Sequence, residues 1–393
     1  MEKRVIDFTQ KVLFLAPLAG LSDAAFRTLA KLFGADVTVS EMVSANALVF
    51  ENRAKKGGAK SLLLTQKSPF ESPYLVQISG ENVAHIQEAV EILNEIDGVD
   101  GIDLNCGCPV PKVVKQGAGS ALLQTPKTLC EIIETIKKHS KKRYTSLKIR
   151  LGFNEKNLAS LIEDIQNAGA DFVAIHGRTR AQGYSGVADY EAIAAVKARA
   201  KIPVIANGDI TQHNALEVLQ VTNADGLMIG RGAVGRAWVF ALIKQMLAGE
   251  VSNSVLTSCE AQNCEFGAQI QGGFEQNLSP LSSKNLQKPN LNLAQDEFER
   301  VLQQVCEIFT QNPPQVSVLR LDAPVNSRQI GLVALAHLRM MQRLYGERSV
   351  GLFRKHLHEY SRAFVGASEF RQSVNRQSDF EKTCELIKTF FQI

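Results

Sequence analysis

From residue 12 to about 248 the chain alternates short, continuously apolar runs with longer stretches whose apolar positions recur three and four residues apart. The short runs are VLFLAP (12–17), DVTVSEM (36–42), YLVQIS (74–79), GIDLN (101–105), TSLKIR (145–150), DFVAIH (171–176), IPVIAN (202–207) and DGLMIG (225–230), eight in all. Between them, SDAAFRTLAKLFG predicts a helix with Ser22 as N-cap and Gly34 as its stop. NVAHIQEAVEIL and NLASLIEDIQNAGA carry the same helical period, and Thr211 supplies a polar start before NALEVLQ. Apolar strands alternating with helices call for a parallel sheet covered on its faces. Eight such units in about 240 residues is the size of an α/β TIM (β/α)8 barrel. Barrels of this kind build their chemistry at the C-terminal ends of the strands, so the residues ending each run are the ones to read.

Beyond the last unit the pattern changes. Residues 250–294 are rich in Asn, Gln, Ser and Gly without a sustained period, which predicts a polar low-complexity insertion or linker. Helical periodicity returns over 295–312 and 328–392, with NPPQVSVLRLDAP as an irregular connection. The predicted organisation is a barrel over 1–249, the linker over 250–294 and a small all-helical domain over 295–393. In LVALAHLRMMQRLYG, Leu335, Leu338 and Met341 share one helix face, Arg339 and Arg343 lie on another, and Gly346 is the stop.

Composition adds boundaries rather than identity. The 393 residues are 45% hydrophobic and 21% charged, with a mean hydropathy of −0.06, the profile of an ordinary globular protein. A net charge of +4 and a pI near 8.6 are only mildly basic, so placement matters more than total. From Arg328 to Arg376 there are nine Lys or Arg against three Glu, a net +6, and His356 and His358 extend the basic character beside Arg354 and Lys355. Any one of these suits a solvated helix face; their concentration suits contacts with phosphates. Seven cysteines at irregular spacing do not form a disulfide framework and point to reduced thiols in a cytoplasm. VLFLAPLAGL follows the acidic Glu2 and Asp7 and has no convincing small-residue cleavage site, so it reads as a strand, and no run approaches the roughly 20 apolar residues of a membrane span.

At the strand ends, Asn207-Gly208-Asp209 and Gly230-Arg231-Gly232 follow the last two runs, where glycines and an adjoining helix N-terminus suit a phosphate. Arg231 adds a forked charge. The third and fourth runs contribute Gln77 and Asn105; the fifth ends in Lys148 and Arg150; the sixth ends in His176, followed by Arg178 and Arg180. A lysine inside a barrel strand is costly unless it meets an anion or an electron-rich ring. A phosphate cradle, side-chain amides and one enclosed cation together suit flavin mononucleotide. Cys106 and Cys108 are a poor metal pair: a structural zinc wants four ligands, and Cys259 and Cys264 lie in the low-complexity stretch. A disulfide two residues apart would be strained and no C-x-x-C is present, which leaves one working thiol and no metal.

The motifs APLAGLSDAAFR (16–27), LVQISG (75–80), DLNCGCPVPKVVKQGAGSALL (103–123), LKIRLGF (147–153), IHGRTRAQGYSG (175–186), IPVIANGDI (202–210), LMIGRGAVGRAW (227–238) and YGERSVGLFRKHLHEY (345–360) resemble the tRNA-dihydrouridine synthases, most closely their bacterial B-type branch. The resemblance implies an FMN barrel with a helical tRNA-binding domain, working as a monomer. It also implies reduction of tRNA uridines to 5,6-dihydrouridine with NADPH, an oxidoreductase reaction on a CH–CH bond. Matched to the family's N-x-G-C-P motif, the catalytic thiol falls on Cys108, which protonates C5 after hydride reaches C6, and Cys106 falls on the variable position. FMN contacts fall on Pro17, Leu18, Ala19, Gln77, Lys148, Asn207, Gly208, Asp209, Gly230 and Arg231. Asn105, His176 and Arg178 match positions near the uracil. The B-type likeness suggests uridine 17. The competing expectation is a flavin barrel acting on a free pyrimidine, like dihydroorotate dehydrogenases.

Overall fold

A computed structural model describes residues 5–54, 60–249 and 327–393, which fall into two compact units, 5–249 and 327–393. The predicted insertion at 250–294, the helix over 295–312 and Cys259 and Cys264 lie outside the described residues.

The first unit is a closed parallel barrel. Its strands are β1 (Val12–Leu15), β2 (Val37–Val39), β3 (Val43–Ser44), β4 (Tyr74–Ser79), β5 (Gly101–Cys106), β6 (Tyr144–Arg150), β7 (Phe172–His176), β8 (Val204–Asn207) and β9 (Gly226–Ile229). They run in the order β2-β1-β9-β8-β7-β6-β5-β4-β3, and β2 also pairs with β4, which closes the ring. Eight of the nine coincide with the predicted runs. The two-residue β3, which adds only a short pairing to the end of β4, is too brief to carry a period in sequence.

Alternate residues along the strands face the barrel axis. Phe14, Val37, Val39, Leu75, Tyr144, Phe172, Ala174, Ile205 and Met228 share one buried cluster there. Helices such as Val83–Asn94, Pro126–His139 and Leu158–Asn167 cover the outside with their apolar faces. The first helix, Ala24–Leu32, is capped by Asp23 rather than Ser22: the Asp23 carboxylate accepts from the amides of Ala25 and Phe26 at 2.9 and 3.1 Å. The Ser22 hydroxyl instead accepts from Leu18 N at 2.8 Å and shapes the loop after β1. Thr211 likewise does not cap Ala215–Thr222, whose N-cap is Asn214. Inside the barrel wall, Arg27 Nε meets Glu71 Oε2 at 2.7 Å with side chains 2% and 0% exposed, and Thr38 and the Ser68 amide complete the carboxylate's partners.

The second unit holds helices Ser327–Tyr345, Ser349–Tyr360, Ala367–Arg376 and Phe380–Phe391. Leu335, Leu338 and Met341 are buried, as the period predicted. His356 is not part of a basic surface: it is fully buried, its ring 4.4 Å from that of His337 and packed with Phe353. Arg348, Lys355, Arg362 and Arg376 are exposed. No described helix is long and apolar enough to cross a membrane.

Candidate functional site at the barrel mouth

The axial parity that buries Leu75, Tyr144, Phe172 and Ile205 also carries Gln77, Lys148, His176 and Asn207 to the axis at the C-terminal ends of their strands. Register places Asn105 beside Lys148 and His176 beside Asn207, so the expected residues share one rim.

On one side of that rim a chain of side-chain hydrogen bonds begins at Asp103. Its carboxylate accepts from Ser146 Oγ at 2.7 Å and from Gln77 Nε2 at 2.7 Å. Gln77 Oε1 accepts from Asn105 Nδ2 at 2.8 Å, and Asn105 Oδ1 accepts from the amides of Gly107 and Cys108 at 3.2 and 2.9 Å. Burial pushes the Asp103 carboxyl up to about 6 against the hydrogen bonds from Gln77 and Ser146. Cys108 is partly exposed, its carbonyl accepting from Ser120 Oγ at 2.8 Å and from the Ser120 amide at 3.2 Å. That fold-back needs Gly119, whose φ is +63°: a Cβ there would stand 2.9 Å from Val113 Cγ1 and 3.1 Å from the Cys108 carbonyl. Cys106 has the opposite parity to Asn105, is fully buried, and has its thiol pushed well up by burial and by the charge of Asp103.

Lys148 is partly buried, and among the described residues its ammonium makes no hydrogen bond or ion pair. Burial and the Arg150 charge lower it to about 8 against the pull of Asp103 and Cys108.

Across the mouth, His176 and Arg178 are buried and linked, with Arg178 Nη1 3.4 Å from His176 Nε2. Burial and then the charges of Lys148, Arg150, Arg178 and Arg231 drive the imidazole down to about 2, so it is neutral. Arginine only donates, which makes Nε2 the acceptor and leaves the ring proton on Nδ1. Arg178 also bonds Asp209 Oδ2 at 2.5 Å and the Ser185 carbonyl at 3.0 Å. Asp209 sits at φ +50°, held by Arg178, by the Ala188 amide at 3.0 Å and by Arg231 at 3.1 Å. Burial raises its carboxyl, but the hydrogen bonds of Arg178 and Ala188 and the charges of Arg178 and Arg231 outweigh that and hold it low. Asp209 is thus the clamp that aims Arg231, which is 60% exposed. Gly208, at φ +121°, lies against the imidazole; a Cβ would meet His176 Cδ2 at 2.8 Å. Asn207 Nδ2 donates to the Met228 carbonyl at 2.7 Å, tying the two glycine-bearing loops together. Beside them Gly230 leaves the side chain of Leu18 within 3.6 Å of where its Cβ would be. Pro17 and Leu18 are partly buried and Ala19 is exposed.

Sequence reading gave no role to three residues at this mouth. Asp103 anchors the amide chain. Arg150, 2% exposed, donates to the carbonyls of Gly107, Thr179 and Gly183 at 2.7, 2.9 and 2.8 Å, joining the loops after β5 and β7. Tyr184, 61% exposed, lies under Arg231 and Arg150 at 4.9 and 5.6 Å. An exposed aromatic between glycines in QGYSG was the available signal.

A closed parallel barrel with amides, a cation and a thiol at its C-terminal mouth defines a barrel of the enzyme kind. Residues 14–306 match the family model described as dihydrouridine synthase. The chain is 36% identical over 98% of its length, and 94% of the relative's, to a probable tRNA-dihydrouridine synthase of Helicobacter pylori. It is 33% identical to the tRNA-dihydrouridine synthase B of Pseudomonas putida, covering 96% of this chain and 91% of that one. The chain belongs to the dihydrouridine synthase family.

Proposed function

We propose that the chain is an FMN enzyme of the cytoplasm that reduces uridines of tRNA to 5,6-dihydrouridine with NADPH, working as a monomer. The observation that carries this reading is the Lys148 ammonium, enclosed at the mouth beside Cys108 with no protein anion bonded to it. A part-buried, unpaired cation of that kind fits the pyrimidine edge of a flavin, and the Gly208–Asp209 and Gly230–Arg231 loops fit its phosphate. Pro17, Leu18, Ala19, Gln77 and Asn207 complete the surface. When bound, FMN supplies hydride to C6 of the uracil.

The chain's own residues then divide the remaining work. Cys108 donates a proton to C5 and must therefore be a thiol rather than a thiolate. Asn105 holds the Cys108 amide and so fixes where that proton is offered. His176, kept neutral by burial and four cations, donates from Nδ1 toward the carbonyl charge that develops on the uracil. Arg178 orients the imidazole and, through Asp209, Arg231.

A uridine inside folded tRNA reaches such a mouth only when splayed out, which requires a surface that holds RNA. Arg348, Lys355, Arg362 and Arg376 supply exposed positive charge for that in the helical domain, 295–393 by its sequence boundaries, while 1–249 is the catalytic barrel. The test is direct: the purified protein should absorb in the blue and, with NADPH, form dihydrouridine in tRNA transcribed without modification. A colourless protein, or turnover on a free pyrimidine but not on tRNA, would overturn this reading.

A further inference from the structure

A hydrogen-bonded chain of amides has two possible directions, and at the barrel mouth both ends dictate the same one. The upper end is the pair of backbone amides of Gly107 and Cys108, which only donate, so Asn105 must turn its Oδ1 to them and its Nδ2 to Gln77. Gln77 must then accept at Oε1 and present Nε2 below, where Asp103 Oδ2 waits at 2.7 Å. Asp103 is 2% exposed and its other oxygen is taken by Ser146 Oγ. The carboxylate is therefore the acceptor that terminates the chain and seats it on β6, one strand beyond the residues it orients.

We propose that Asp103 is the positioning residue for the proton donor, setting the place of Cys108 through Gln77 and Asn105. This rests on the reading of Cys108 as the donor to C5. Asp103 touches neither substrate nor cofactor in this role, and it moves no proton. The direction of the chain survives when the carboxylate becomes a carboxamide, because Asn at 103 accepts from Gln77 at Oδ1 and donates to Ser146 Oγ from Nδ2. A leucine there leaves Gln77 Nε2 buried without an acceptor, a loss that favours rotation of both amides and release of the Cys108 amide.

The experiment compares Asp103→Asn and Asp103→Leu in the full-length protein with two readouts. The first is turnover on tRNA: D103N should keep it within about threefold of the parent. D103L should lower kcat by about tenfold to a hundredfold at little change in KM, the scale set by small misplacements of a reacting group. The second needs no turnover and no flavin: the rate at which iodoacetamide alkylates Cys108, followed by mass spectrometry, should shift several-fold in D103L and stay at the parent value in D103N. If D103L does not fold by thermal melt, Asp103→Ser, too short to reach Gln77, takes its place. An Asp103→Asn variant as impaired as D103L would assign Asp103 a proton or charge role and overturn the proposal, as would a D103L with parental kcat and alkylation. A parent protein that forms no dihydrouridine defeats the proposed function instead, and the alkylation rates still decide the positioning role.

Discussion

Lys148 makes flavin affinity depend on pH in a calculable way. With no ion pair to hold its charge, burial and Arg150 lower its ammonium to about 8 against the pull of Asp103 and Cys108. A bound flavin pyrimidine edge favours the charged form and raises that value again, so binding takes up a proton wherever the empty site has lost one. The sign follows: affinity is full below pH 8 and falls as pH rises through it. At pH 7 about nine-tenths of empty sites carry the charge, and at pH 9 about one-tenth, which weakens FMN binding about tenfold, or about 1.4 kcal/mol. The flavin phosphate, with its second pKa near 6, is fully charged over this range and adds no slope. Quenching of FMN fluorescence titrated against apoprotein at pH 7, 8 and 9 measures it. Lys148→Met should bind more weakly at pH 7 and lose the slope. A parent protein whose Kd is flat from pH 7 to 9, or a variant that keeps the parent's slope, would refute the reasoning.

Two further predictions concern the architecture. Gly208→Ala places a methyl 2.8 Å from His176 Cδ2 at a φ of +121°, and should cost about 1–3 kcal/mol in thermal stability while displacing the imidazole and reducing turnover; an unchanged melting temperature would contradict the crowding. Glu71→Leu leaves Arg27 charged and buried, and urea unfolding should show a loss of about 3–5 kcal/mol; a loss under about 1 kcal/mol would mean water reaches the guanidinium.

Much of the site was legible because a strand has a period of two. Gln77, Lys148, His176 and Asn207 interrupt apolar runs near their C-terminal ends and share the parity of the core residues below them, and Asn105 stands in register with Lys148. The same parity separates the cysteines: Asn105 faces the axis, so Cys106 cannot, and Cys108 lies past the strand. Asp103 escaped notice because its partners are 26 and 43 residues away, on strands whose register the sequence does not state. Asp209 was expected at the phosphate, and only the geometry reveals its pairing with Arg178 and Arg231. His356 misled for a related reason. Beside Arg354 and Lys355 it reads as basic, yet helix packing turns it toward His337 and Phe353, away from its neighbours' solvent. The Asp23 cap was missed by one residue, since Ser22 and Asp23 are both good caps and only the loop after β1 decides between them.

The central claim is the asymmetry within NCGCP, and one measurement addresses it: the rate at which tRNA reoxidises the reduced flavin in Cys108→Ala and Cys106→Ala, each first reduced with NADPH in the absence of oxygen. Loss of the Cys108 proton donor should slow that step by about 10²–10⁴-fold with flavin content and its reduction preserved, while Cys106→Ala stays near the parent. Slowing by Cys106→Ala with Cys108→Ala unaffected would contradict the account.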